Sequence, residues 1–324
     1  VTGRLAAAEA RSTPLVEGGR ETVRISCAFV NNMPDGAFEA TERQFLGLLD
    51  GASGSEVIEV RLYTMNGIPR QEKTARRIDD GYLSLSNIYL EPPDVLIVTG
   101  SNPIELRIED EPYWDDLTEL LSWARKHVRS TLLSCLSAHA ALTIFDDVAR
   151  VRLPAKCTGV FPQDVEVAHE LTEGLDPQIL LPHSRWNSVP RESLERVGYD
   201  VLVHSEATGW GAAVREEDGR QLVLVQGHPE YDPWSLLREY RRDADRYVRH
   251  ERDDVPYLPY HCVSPDEWED LERLHHEIID GNRDPLIFDQ YPFDEVGARA
   301  PWPWHAPGTR LFANWLSSVK RGED

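Results

Sequence analysis

Short apolar runs alternate along this chain with longer runs whose apolar positions recur at helical spacing. The apolar runs at 23–30, 56–63, 94–98, 130–134, 199–203 and 221–226 have strand length, and their continuity fits strands covered on both faces. Between them, 39–50, 113–127, 137–146 and 233–249 read as amphipathic helices. This alternation predicts an α/β fold with a doubly wound, mostly parallel sheet. The stretch 147–198 is less regular and predicts shorter strands and loops. The final TRLFANWLSSVKR (309–321) carries apolar residues at helical spacing and is expected to pack on the core.

The pattern divides the chain into four parts. Residues 1–20, small and polar with Pro14 and Gly18-Gly19, read as a flexible N-terminal arm. Residues 21–250 form the α/β domain. Residues 251–306 are an irregular extension rich in Pro, Asp, Trp and Tyr, with one helical segment near 266–279. Residues 307–324 hold the C-terminal helix.

Composition narrows the function. The 324 residues are 41% hydrophobic and 28% charged, which is globular. A net charge of −22 argues against a nucleic-acid partner, because a polyphosphate surface would repel it. Cys27, Cys135, Cys157 and Cys262 are widely spaced without a C-x-x-C pair, so neither a zinc ribbon nor a redox pair is expected. No metal is expected. The chain shows neither an apolar leader nor 18 consecutive apolar residues, so no membrane association is expected and a cytoplasmic location is.

Two segments carry candidate chemistry. TLLSCLSAHAALTIF (131–145) is a strand-like run ending at Cys135 and running into a small-residue helix. A thiol at that corner sits beside a helix N-terminus, which favours the thiolate, and the Leu136 N–H falls where an oxyanion donor is needed. LVLVQGHPEYD (222–232) is a second strand-like run ending at His228, with Glu230 two residues on. Thiol, imidazole and carboxylate are the parts of an acyl-transferring site. His139, His183 and His204 are rival bases, and a buried structural role is common for a free cysteine. Gly100 closes the DVLIVTG strand and would let backbone N–H groups approach a ligand.

The chain resembles the homoserine O-succinyltransferase / O-acetyltransferase family of methionine biosynthesis. The resemblance spans residues 23–250 and resumes at the end. It rests on NNMPDGAFEATERQFLGLL (31–49), DVLIVTG (94–100), YWDDLTELLSWARKHVRSTLLSC (113–135), KCTGVF (156–161), LPHSRW (181–186), GHPEYD (227–232), EYRRD (239–243) and GTRLFANWL (308–316). It implies a class I glutamine amidotransferase-like, flavodoxin-like fold. It implies Cys135 as nucleophile, His228 as base and Glu230 as its orienting partner, with Lys156, Ser184 and Arg242 contacting substrate. Arg242 would hold the amino acid's carboxylate, a role that suits a guanidinium fork.

The implied activity is transfer of an acyl group from acyl-CoA to the hydroxyl of homoserine, by a ping-pong route and without a bound cofactor. The expected partners are acyl-CoA and a hydroxy amino acid, and the expected assembly is a homodimer. The chain also departs from the family pattern. Leu136 replaces a common tryptophan, and Asp35-Gly36 replaces lysine positions. The 251–306 region is longer by roughly two dozen residues, judged against ordinary connection lengths. In TGSNPIELRIEDEPYW (99–114) the acyl-selecting position falls on Ile104 or Glu105. A glutamate would repel a succinyl carboxylate and an isoleucine would fill its space, so acetyl is the expected donor. Another hydroxy amino acid such as serine, or a glutaminase or hydrolase reaction on the same fold, are the alternative readings.

Overall fold

The computed structural model describes residues 4–7, 24–103, 105 and 107–320. Among the described residues, ten strands form one sheet: β1 Arg4–Ala7, β2 Arg24–Val30, β3 Val57–Tyr63, β4 Val95–Val98, β5 Ser130–Ser134, β6 Val151–Val165, β7 Gln178–Ser188, β8 Asp200–Ser205, β9 Gly209–Glu217 and β10 Arg220–Val225. The helices are α1 Asp35–Ala52, α2 Glu72–Gly81, α3 Ser86–Leu90, α4 Trp114–His127, α5 Leu136–Asp146, α6 Arg191–Arg196, α7 Ser235–Val248, α8 Pro265–Ile279, α9 Phe293–Arg299 and α10 His305–Lys320.

The strand order is β1-β3-β2-β4-β5-β10-β9-β8-β6-β7. From β1 to β10 the pairings are parallel, and from β10 to β7 they are antiparallel. The run β3-β2-β4-β5-β10 follows the flavodoxin-like order of a doubly wound sheet. Side chains on the central strands alternate between two cores. Ala28, Val30, Leu96, Val98 and Leu133 face α4 and α5, while Cys27, Phe29, Val95, Ile97 and Leu132 face α1 and α10. This alternation explains why the strands read as continuous apolar runs.

The predicted strands and helices of the parallel half are present, with ends shifted by a few residues. The stretch 147–198 differs from expectation. It holds β6 and β7, two long strands paired antiparallel rather than short strands and loops. Pro154, Gly159 and Pro162 break the apolar alternation in β6. Pro154 lies where the register shifts between Arg152 and Cys157, and such irregularities accommodate a residue that lacks an N–H. Arg4–Ala7, inside the stretch expected as a loose arm, pairs with β3, and residues 8–20 lie outside the described residues.

The 251–306 extension packs its apolar side chains on α7. Leu271, Leu274, Ile278, Ile287, Phe293 and Trp304 share a third core with Leu236, Leu237, Tyr240 and Tyr247. Its first part docks on β6 through backbone hydrogen bonds, with the Tyr260 ring against Phe161: Tyr260 N–H donates to Thr158 O (3.1 Å), and Val160 N–H donates to Tyr260 O (2.8 Å). Gly159 permits that approach, because a Cβ there would lie 2.6 Å from Tyr260 backbone atoms. α10 packs Phe312 against Phe45, and Trp315 Nε1 donates to Ser130 Oγ at 2.7 Å. Among the described residues, no helix is long and apolar enough to cross a membrane.

Candidate active site

Cys135 sits between β5 and α5 with φ 53° and ψ −105°, a conformation costly for any residue with a side chain. Backbone bonds hold it there. Its N–H donates to Val225 O at 2.7 Å, extending the β5–β10 ladder, and its carbonyl accepts from His139 N–H at 3.2 Å, starting α5. The Leu136 N–H is the first of the helix and has no intrahelical acceptor. Gly100, at the end of the neighbouring β4, packs against it: a Cβ at Gly100 would lie 3.2 Å from Leu136 N and 3.3 Å from Ser134 O. The corner thus presents a thiol beside a free N–H, with no side chain between them and the next strand end.

His228 follows β10, the other neighbour of β5. Its N–H donates to Pro182 O at 2.8 Å, and Gly227 lies so close to Leu181 that a Cβ would meet its side chain at 3.3 Å. The imidazole and the Glu230 carboxylate are both buried, with Nδ1 2.8 Å from Oε1. That contact places the ring's other nitrogen, a buried Nε2 without a protein partner, as the atom available for proton transfer. Burial pulls the His228 pKa down, but the Glu230 carboxylate and the Cys135 thiol outweigh it and hold the pKa well above the ordinary value.

The rival histidines have other partners, although His183 lies near enough to His228 to feel its charge. His139 is buried against Gln226 Oε1 at 2.8 Å, and burial drives its pKa down to about 4. His183 is buried beside Gln163, and burial pushes its pKa well below the ordinary value. His204, on β8, lies 3.5 Å from Glu166, just past β6.

Next to the dyad lies a charged cluster. The Tyr231 ring stacks on His228 with centroids 4.3 Å apart. The Tyr231 hydroxyl donates to Glu239 Oε1 at 2.6 Å, and Ser184 Oγ donates to Glu239 Oε2. Lys156 Nζ lies 3.5 Å from that same oxygen and 3.1 Å from Asp243 Oδ2. Arg242 sends Nε and Nη2 to Asp243 Oδ1 at 3.0 and 2.9 Å. Burial raises the Glu239 and Asp243 pKa values, yet Lys156 foremost among their partners outweighs it and leaves both below the usual carboxylate range. Two indoles of the extension, Trp302 and Trp304, donate to Tyr231 O at 2.9 and 2.7 Å and fix the ring that backs His228.

The structure therefore brings together Cys135, Leu136, Gly100, His228 and Glu230, and places Lys156, Ser184 and Arg242 in one adjoining cluster. Glu105 is exposed, with its N–H on Glu111 Oε1 at 3.0 Å, and Ile104 lies outside the described residues. Sequence reading missed Glu239, Asp243 and Tyr231. Glu239 and Asp243 are four apart on α7, a spacing that puts both on one helix face. Also missed is Arg185, whose guanidinium is buried and donates to Asn187 O (3.0 Å) and Thr208 O. Burial lowers its pKa, and the acidic groups acting on it are the Cys157 and Cys135 thiols. Among the described residues, no group of three or more His, Cys, Asp or Glu is placed to hold a metal.

A flavodoxin-like sheet that sets a thiol on a strained strand-to-helix corner, beside a histidine–carboxylate dyad, defines an α/β enzyme of the acyl-transferring class. The homoserine O-succinyltransferase profile matches residues 19–322. The homoserine O-succinyltransferase of Rhodopseudomonas palustris is 37% identical over 91% of this chain and 88% of its own length. That of Thiothrix nivea is 40% identical over 90% and 81%. Among solved structures, SMU.1228c aligns with a TM-score of 0.50 at 12% identity over 91% of this chain and 99% of that one. A glutamine amidotransferase from Thermotoga maritima aligns at 0.49 and 12% over 93% and 99%. The chain belongs to the homoserine O-succinyltransferase family and is an acyltransferase.

Proposed function

We propose that this enzyme transfers a succinyl group from succinyl-CoA to the side-chain hydroxyl of homoserine through an acyl-enzyme on Cys135. The carrying observation is the unbroken path of contacts from His228 through Tyr231 and Glu239 to Lys156, Asp243 and Arg242. It joins a proton-transfer pair to a side-chain cluster carrying both signs of charge, which is what a zwitterionic acceptor requires.

Cys135 gives its thiol proton to His228 and its sulfur attacks the thioester carbonyl of acyl-CoA, and the developing oxyanion meets the Leu136 N–H beside Gly100. Collapse expels CoA as its thiol, protonated by His228, and leaves the acyl group on Cys135. Homoserine then enters with its carboxylate toward Arg242 and its ammonium toward the buried Glu239. His228 Nε2 takes the hydroxyl proton as the oxygen attacks the acyl-enzyme, and Cys135 is released. Glu230 holds the ring's tautomer throughout.

Succinyl is favoured as donor by the names of the curated relatives and by the buried Arg185 near the two thiols. Among the described residues, Arg185 faces no carboxylate within ion-pair distance, so an incoming one would not displace a partner. The acetyl expectation rested on Ile104 or Glu105. The first lies outside the described residues, and the second is exposed. Crossing acetyl-, succinyl- and propionyl-CoA with homoserine, serine and threonine tests the reading. Succinyl-CoA with homoserine should give the highest kcat/KM, and a preference for acetyl-CoA or serine would overturn that part of it.

A further inference from the structure

The segment after α7 reaches back into the charged cluster. Arg252 lies beyond the end of α7, at the start of the 251–306 extension. Its Nη1 lies 3.2 Å from Asp243 Oδ1, the oxygen that also accepts Arg242 Nε and Nη2. Two guanidiniums therefore converge on one carboxylate oxygen, while Lys156 takes the other. Arg252 is held on its far side by Asp254 and is 15% exposed, whereas the Arg242 side chain is 49% exposed. The segment is itself anchored next to the site, with Tyr260 bonded to β6 at Thr158 and Val160, two and four residues beyond Lys156.

This arrangement has a chemical consequence. A lone Arg242 paired in a fork to Asp243 would be neutralised, and an arriving carboxylate would compete with Asp243 for it. Lys156, Arg242 and Arg252 together balance the carboxylates of Glu239, Asp243 and Asp254, so an acceptor whose ammonium engages Glu239 leaves positive charge for its own carboxylate without expelling Asp243.

We propose that Arg252 is a specificity-determining residue for the acceptor, forming with Arg242 a paired clamp for its α-carboxylate, with Asp243 as the fixed post that holds the pair. The clamp rests on the reading of the acceptor as an amino acid with a free carboxylate.

The test uses the full-length enzyme and separates the two half-reactions. In Arg252→Ala, KM for homoserine should rise about ten- to a hundredfold, the scale of one lost charge-assisted hydrogen bond, while kcat changes little. Formation of the acyl-enzyme, read by intact mass after mixing with acyl-CoA, should proceed at the wild-type rate. Arg252→Lys should restore part of the affinity, and Arg252→Gln keeps the chain length should the alanine variant fail to fold. With 3-aminopropan-1-ol, the acceptor without its carboxylate, wild type and Arg252→Ala should perform alike. An unchanged homoserine KM in Arg252→Ala would overturn the clamp. So would an equal loss in acyl-enzyme formation, which marks a purely structural role. Wild-type enzyme that uses the amino alcohol as well as homoserine would instead remove the amino-acid reading, and the clamp with it.

Discussion

The nucleophile corner and the charged cluster are neighbours built by different means. At the corner, backbone does the positioning. Adjacent strands β4, β5 and β10 end together, Cys135 is held at a positive φ, and Gly100 leaves the Leu136 N–H open. In the cluster, side chains hold one another, with Lys156, Glu239, Asp243, Arg242 and Arg252 drawn from β6, α7 and the extension. Backbone placement resists substitution at neighbouring surfaces. A charge network depends on each of its members, because removing one leaves a partly buried charge without its partner.

The sharpest way to break this comparison is at the thiol. Cys135→Ala should abolish both acyl labelling and turnover, while Cys27→Ala and Cys262→Ala, in buried core positions, should still label. Intact mass spectrometry after incubation with acyl-CoA reads the outcome, and labelling that persists in Cys135→Ala would reassign the nucleophile.

His228→Ala should cost roughly two to four orders of magnitude in kcat, the usual scale for a general acid–base. Glu230→Gln should cost less if the carboxylate only orients the ring. Near-normal turnover of His228→Ala in steady-state assays would send the search to another base.

A smaller effect belongs to Gly100→Ala. A methyl group 3.2 Å from Leu136 N should crowd the oxyanion donor and slow acyl-enzyme formation by about ten- to a hundredfold, with KM for homoserine unchanged. Stopped-flow release of CoA measures the first half-reaction alone. If acceptor affinity falls instead, the corner and the cluster are not separable.

The smallest effect concerns stability. Glu239 and Asp243 have folded pKa values below their ordinary ones. Their contribution is therefore complete above the unfolded values, about pH 4, and is lost as pH falls through the lower folded values. Urea midpoints should drop on acidification in the wild type and drop less in Asp243→Asn. Parallel curves for the two proteins would show that the cluster does not contribute to acid sensitivity.

The same contrast decides what was legible in the sequence. The parallel half could be read because strands covered on both faces leave continuous apolar runs and strand ends leave glycines, as at Gly100 and Gly227. β6 could not, because Pro154, Gly159 and Pro162 interrupt its alternation while serving a register shift and a close approach. The charges of EYRRDADRY would be placed on the solvated face of their amphipathic helix, yet Asp243 is buried along with Tyr240, Ala244 and Tyr247. Charges that neutralise one another in space look, along the chain, like charges that face water.

The attachment of Tyr260 to β6 bears on how acceptor choice might be redesigned. The hydrogen bonds of the joint at Gly159 use main-chain atoms only, and the ring contact of Tyr260 with Phe161 adds to them. The stretch from Arg252 to Tyr257 can then be exchanged as a cassette between two fixed ends, α7 and Tyr260. A library confined to that cassette would vary the pocket wall while leaving the thiol corner and its proton chemistry untouched.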